Sequence, residues 1–309
     1  MKNILILFII ISINLFGSCL KVSSNSGTTC SDDSISIDSI SKSFTTTMKV
    51  SDNGVTVVDI PIYISTDSTE EITMTMTNIT SLRNSDNETI ATDFFYVVGG
   101  SEHGIIENSS FVLLANGAGT RDGSNNLIGY IRIKVTLSDN QTVGSYSLSK
   151  NIKVTLTNNG TSPTATLSSG GSVEHVTIVS FEDSISGYTS GEKFISAVID
   201  YGDFNLNAVN RQIRSLYVKS NSKKACTISF STSKLVSQVD SSYKIGMNYY
   251  YTKIGGTQQT IPNNIPFTII NGKNSGGKVG EMKFETETID TLLIAGEYKA
   301  IINVTVSAR

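Results

Sequence analysis

Few side chains in this sequence are suited to covalent or metal chemistry, and their spacing gives them no site to share. The cysteines are Cys19, Cys30 and Cys226, and the only histidines are His103 and His175. Neither histidine has the Cys, His or carboxylate spacing of a zinc site, so both read as surface or loop residues. Asp122-Gly123-Ser124-Asn125 begins like a calcium loop but lacks its acidic spacing and closing Glu, and reads as a turn. Glu70-Glu71 and the pair Glu285 and Glu287 read as solvent faces of alternating segments. There is no Gly-x-Ser-x-Gly elbow, no phosphate-cradling glycine loop and no Cys/His arrangement. The sequence therefore predicts no enzyme, no cofactor and no metal site. With 24 Lys and Arg against 27 Asp and Glu, the net charge is -3, too little to attract nucleic acid or an anionic membrane.

The N-terminus carries an export signal. Lys2 supplies a positive start, Ile4 to Phe16 an apolar stretch broken only by Ser12 and Asn14, and Gly17-Ser18 a small-residue exit. We expect residues 1–19 to be a signal peptide, and no later run is apolar enough to span a membrane. Two endings are open. Leu15-Phe16-Gly17-Ser18-Cys19 is a loose lipobox that would lipidate Cys19, anchoring the protein at an outer membrane. Alternatively, Gly17 and Cys19 form the small pair of ordinary cleavage. In either case Cys30 and Cys226 remain, too few for a disulfide scaffold. Cys226 lies in a buried-looking strand and is expected to stay reduced.

These sparse groups must be positioned by strands. The mature sequence alternates apolar and polar residues with period two, and Gly, Asn, Asp and Ser turns punctuate it at Asp52-Asn53-Gly54, Asp122-Gly123, Gly255-Gly256, Asn271-Gly272 and Gly276-Gly277. It is also duplicated. Ile62-Tyr63-Ile64 and Ile72-Thr73-Met74-Thr75-Met76 align without a gap on Leu216-Tyr217-Val218 and Cys226-Thr227-Ile228-Ser229-Phe230. Gly144-Ser145-Tyr146, leading to Leu148, Ile152, Val154 and Leu156, returns as Gly296-Glu297-Tyr298, leading to Ala300, Ile302, Val304 and Val306. Gly129 with Ile131, Ile133 and Val135 returns as Gly280 with Met282 and Phe284. The fold class is therefore all-β: two tandem immunoglobulin-like sandwiches after the signal. Module one is 31–158, module two is 172–309, and the Ser/Gly-rich 159–171 reads as a flexible linker.

The Gly-x-Tyr turn followed by an alternating last strand resembles the end of pilin-type domains of bacterial chaperone–usher fimbriae, shared by spore-coat-U-like secreted proteins. Here it is Ala295-Gly296-Glu297-Tyr298 running to Val306, and Val143-Gly144-Ser145-Tyr146 in the first copy. Two such modules in tandem resemble a tip adhesin or two-domain minor subunit. Two departures stand out. Many such pilins carry an early cysteine pair, whereas neither module as bounded above holds two cysteines. Tip adhesins also usually pair unlike domains, whereas these halves look alike.

The resemblance implies a sandwich missing its last strand, with a groove that a periplasmic chaperone and then a neighbouring subunit fill by strand addition. The implied groove face is Ala300, Ile302, Val304 and Val306. The implied donor is Ser34-Ile35-Ser36-Ile37-Asp38, through Ile35 and Ile37, although that segment reads equally as the first strand of module one. Val176 to Phe181 is a candidate to fill module one's own groove. The function implied is a structural or adhesive surface subunit at a fimbrium, with a host or surface receptor as a further partner. The alternative is a lipid-anchored surface or periplasmic binding protein with self-complete modules.

Overall fold

The computed structural model describes residues 19–308 apart from 28, 31–34, 45–47, 49–53, 119–123, 139–140, 159, 183–184, 186–190, 232–233 and 290–291. The expected signal up to Ser18, and the turns at Asp52-Asn53 and Asp122-Gly123, lie outside the described residues. Every regular element among the described residues is a strand. The first fourteen are β1 (Leu20–Ser23), β2 (Ile35–Ile37), β3 (Ile40–Ser41), β4 (Val55–Thr66), β5 (Ile72–Thr77), β6 (Leu82–Arg83), β7 (Thr89–Val98), β8 (Ser101–Gly104), β9 (Ser110–Leu114), β10 (Asn125–Thr136), β11 (Gly144–Leu148), β12 (Ile152–Thr157), β13 (Thr164–Ser168) and β14 (Gly170–Val173). The remainder are β15 (Val176–Ser180), β16 (Gly191–Phe194), β17 (Arg211–Ser220), β18 (Ala225–Phe230), β19 (Leu235–Ser237), β20 (Lys244–Ile245), β21 (Met247–Lys253), β22 (Gln258–Thr260), β23 (Phe267–Asn271), β24 (Asn274–Thr286), β25 (Tyr298–Lys299) and β26 (Val304–Ser307).

Module one has a nine-stranded sheet ordered β14-β11-β6-β7-β10-β4-β1-β2, with β8 beside β7, and a five-stranded sheet ordered β3-β13-β12-β5-β9. Alternation builds the core between them. In β5, Ile72, Met74 and Met76 are fully buried while the intervening threonines are half-exposed. They meet Ile60 and Ile62 of β4 and Ile131 and Ile133 of β10 in one cluster. Module two has a six-stranded sheet, β16-β15-β17-β24-β21-β22, a three-stranded sheet, β23-β18-β26, and a small sheet, β20-β19-β25. Its core joins Leu216, Val218, Met282 and Phe284 to Cys226, Ile228 and Phe230.

The duplication reads out in the pairings. β1 is parallel to β2 and antiparallel to β4, as β15 is to β16 and β17. Tyr63 pairs with Ser23, and Tyr217 with Ser180. Ladder irregularities recur after Leu127 and after Leu216, and the register shifts at both Ile72 and Cys226. The Tyr146 and Tyr298 hydroxyls each donate 3.0 Å to a carbonyl four residues upstream, Thr142 and Ile294, which pins the turn into the last strand. Cys226 is free and buried, and burial, with Glu192 nearby, raises its thiol to about 12.

Four sequence expectations are corrected. Residues 159–171 are not a flexible linker, because most of the segment is built into module one's sheets. There β13 pairs antiparallel with β12, and β14 with β11. The glycines that suggested flexibility are required by contact. A Cβ on Gly170 would stand 2.7 Å from the Tyr146 carbonyl oxygen, and one on Gly171 would stand 3.0 Å from the Phe44 Cβ. Ile35 and Ile37 are not a free donor, since they form β2 of module one beside β1. Val176 to Ser180 does not fill module one's groove. It is β15, hydrogen-bonded to β16 and β17, while β13 takes that place in module one.

The fourth correction concerns Cys19, which is bonded to Cys30. Its sulfur is thereby not free for the thioether of a lipid anchor, and β1 continues directly from it into the ladder with β4. The disulfide is the early cysteine pair that the narrower boundary of module one left out.

Candidate functional site: an uncovered last strand in module two

β12 and β26 correspond in the two copies, although only Val304–Ser307 of the expected strand from Ala300 to Val306 is regular and 300–303 are irregular. Val154 and Leu156 pair with Met76 and Met74, and Val304 and Val306 pair with Phe230 and Ile228. Their free edges differ. In module one β13 runs along β12 with Ile152 opposite Leu167 and Val154 opposite Ala165, and β3 continues the sheet beyond it. Ile152, Val154 and Leu156 are fully buried as a result. In module two, β26 shares a ladder with β18 alone among the described residues; β16 packs beside it without a ladder, Glu192 accepting 2.9 Å from the Ala308 amide. Ala300, Ile302 and Val304 are only half-buried, Val306 is buried at the inner end, and Ile301 is 81% exposed.

Beside that edge is a cleft of about 880 Å³. One wall is the irregular segment 196–204 and the other is 296–304, so Ala300, Ile302 and Val304 all line it. Its floor is aromatic. Phe181 meets Phe194 and Phe284 edge-on at 5.2 and 5.5 Å, and Phe230 lies beyond them. Tyr201 sits in the wall with its hydroxyl buried and without a hydrogen-bond partner among the described residues, and burial raises that hydroxyl well above its ordinary range. A cleft with an aromatic floor and polar rim, beside a strand edge left unpaired among the described residues, suits an extended chain that offers its backbone to β26. No group of three or more His, Cys, Asp or Glu among the described residues is placed to hold a metal. His103 is on the exposed hairpin strand β8, and His175 lies 3.7 Å from Glu192 at the base of β16.

Sequence reasoning missed the joint between the modules. Glu88 Oε1 lies 3.1 Å from both Lys223 and Lys273 of module two. Lys273 also donates to the Thr142 hydroxyl at 2.9 Å, and Lys223 meets Asp86 at 2.9 Å. The Val143 amide donates to the Asn221 carbonyl at 3.2 Å. Burial works against ionisation of Glu88, but hydrogen bonds from Thr142, Lys223 and Lys273 outweigh it and hold the carboxyl at about 2 instead of 4.5. A depressed carboxyl stabilises above its unfolded pKa, so this contribution is complete above about pH 5 and lost as pH falls toward 2. Glu88→Gln should remove it at neutral pH, costing about 1 kcal/mol after solvent screening of a partly exposed pair. Comparing chemical denaturation at pH 7 and pH 3 checks this: the difference between wild type and variant should shrink in acid.

No protein-family model matches the chain, and no curated protein matches it either. Solved structures similar to it include the chaperone–tip subunit pre-assembly complex, CsuC–CsuE, of archaic chaperone–usher Csu pili of Acinetobacter baumannii. That match has 12% identity over 88% of this chain and 99% of that one, with a TM-score of 0.48. The CupB6 tip adhesin of Pseudomonas aeruginosa is 12% identical over 85% of this chain and 90% of that one, at 0.36. CfaE, the adhesive subunit of the CFA/I fimbria of enterotoxigenic Escherichia coli, is 10% identical over 94% and 81%, at 0.30. The chain thus resembles two-domain tip subunits of chaperone–usher fimbriae. At such scores the likeness carries no functional argument, and the function must come from the chain's own geometry.

Proposed function

We propose that this chain is a structural or adhesive surface subunit of a fimbria-like assembly, completed at module two by a strand from a periplasmic chaperone and then from a neighbouring subunit. One observation carries the reading: among the described residues, the corresponding last strand is hydrogen-bonded on both edges in module one and on one edge in module two. Full burial of a Val, Leu or Ile side chain is worth about 1.5–3 kcal/mol, so leaving Ile302 and Val304 half-wet forgoes stability that an added strand restores. The groove face is Ala300, Ile302, Val304 and Val306, and backbone hydrogen bonds to β26 supply the affinity. Neither β13 nor β2 is free to be donated, since both are paired inside module one. The chain therefore accepts a strand and has none to offer among its described strands, which suits the end of an assembly better than its shaft. Its address is then the cell-surface fimbrium.

The test uses co-purification with a chaperone of the periplasmic, strand-donating class. Ile302→Asp puts a charge on the groove wall, and Thr305→Asp puts one on the exposed face of β26 outside the cleft lining. We expect Thr305→Asp to retain the chaperone and Ile302→Asp to lose it by at least about a hundredfold, the ~3 kcal/mol scale of burying an unpaired charge. Equal retention by both variants would remove the basis for strand addition here.

A further inference from the structure

Cys19 is held by every polar atom it has. Its backbone N–H donates 2.7 Å to Asp67 Oδ1, its carbonyl accepts 2.9 Å from the Thr66 hydroxyl, and its sulfur is bonded to Cys30. The residue is only 8% exposed, and β1 continues directly from it into the ladder with β4, Leu20 opposite Thr66. Cys30 is anchored in turn, its amide donating 3.1 Å to the Ser65 hydroxyl. Cys19 is thus a structural residue of module one, and removing it would open the disulfide and free the end of β1.

The sequence immediately before it is Gly17-Ser18, small residues closing an apolar leader. Both endings that the sequence offers conflict with the fold: cutting after Cys19 discards half of the disulfide, and lipidation needs the sulfur that Cys30 holds. We infer that the exported chain is hydrolysed at the Ser18–Cys19 bond, and that the α-ammonium so produced is held by the Asp67 carboxylate. Water adds across the amide. Its hydroxyl goes to the Ser18 carbonyl carbon, its proton goes to the Cys19 nitrogen, and a solvent proton completes the ammonium. The cutting enzyme is an endopeptidase that takes Ser18 as the small residue at the cut and tolerates the bulkier Phe16 two residues before it. Asp67 is exposed, so its second oxygen stays hydrated, and 2.7 Å is the spacing of a charge-assisted N–H···O bond. Processing then turns that hydrogen bond into an ion pair as well as removing the leader.

Intact mass and thiol counting on the exported full chain test the inference. The expected product starts at Cys19, takes up one alkyl group when denatured without reduction (Cys226), and three after reduction. A product starting at Leu20 with two alkylatable thiols, one starting upstream of Cys19, or one carrying lipid mass would each overturn the proposal. The ion pair has its own readout. An amine-acylating reagent used on the native protein should label the N-terminus of Asp67→Asn about tenfold faster than that of wild type, equivalent to about 1.4 kcal/mol. Equal rates would refute the pairing even if the cut falls where expected.

Discussion

Leu167→Asp should destabilise module one by about 4 kcal/mol or more. Leu167 is fully buried, lies in β13 directly opposite Ile152 of β12, and belongs to the main core cluster. A carboxylate there has lost its water and gained no partner, and it removes the apolar cover from β12 as well. The neighbouring Thr166 faces solvent on the same strand, opposite Lys153, so Thr166→Asp should change stability by less than about 0.5 kcal/mol. Urea unfolding followed by a module-one probe measures both. Had 159–171 been a linker, the two variants would behave alike. The variant also has a functional consequence: with β13 displaced, β12 becomes a second uncovered edge, and a donated strand should bind with a stoichiometry approaching two.

Gly129→Ala and Gly280→Ala should each cost about 3 kcal/mol, for one shared reason. Each glycine sits at the matching ladder irregularity of β10 and β24. A Cβ on Gly129 would be 2.5 Å from the Val97 carbonyl oxygen and 2.9 Å from the Tyr96 ring. A Cβ on Gly280 would be 2.5 Å from both the Thr252 carbonyl oxygen and the Tyr251 ring. The obstructing oxygens belong to the neighbouring strands, β7 and β21, so relief requires spreading the sheet rather than turning a side chain. The tyrosines are themselves fixed, Tyr251 donating 3.2 Å to the Ile269 carbonyl. Gly104 in the exposed strand β8 has nothing within 4 Å of its Cβ position, and Gly104→Ala should be close to neutral. Thermal unfolding of the three variants checks the ranking; equal midpoints would deny that the duplicated glycines exist for close approach.

Strand identity was legible because a half-buried strand writes its period directly into the sequence. Ile72, Met74 and Met76 and their counterparts Cys226, Ile228 and Phe230 could be placed on one face without coordinates, and they occupy that face. The duplication was legible for the same reason, since two copies of one register must repeat their parity. What failed was any inference that composition alone carried. Ser and Gly at 168–172 suggested slack chain, whereas Gly170 and Gly171 are small because β11 and Phe44 press against them. Ile35 and Ile37 alternate as a donated strand would, but alternation does not say which sheet a strand joins. The ion pairs of Glu88 with Lys223 and Lys273 left no trace, because partners as far apart as 185 residues share no period. Cys19–Cys30 was hidden by assigning Cys19 to the leader.

Among the described residues, one module is closed and the other open along the corresponding strand. Hydrogen exchange of the free, purified chain measures it most directly, because amides protected only by one ladder exchange through local opening rather than global unfolding. Residues 152–157 of β12 should exchange as slowly as the core strands β4 and β10, while 300–307, spanning β26, should exchange at least about a hundredfold faster. Adding a strand-donating chaperone should slow the second segment and leave the first unchanged. If 300–307 are as protected as 152–157 in the free monomeric protein, module two is already complete and the account is wrong.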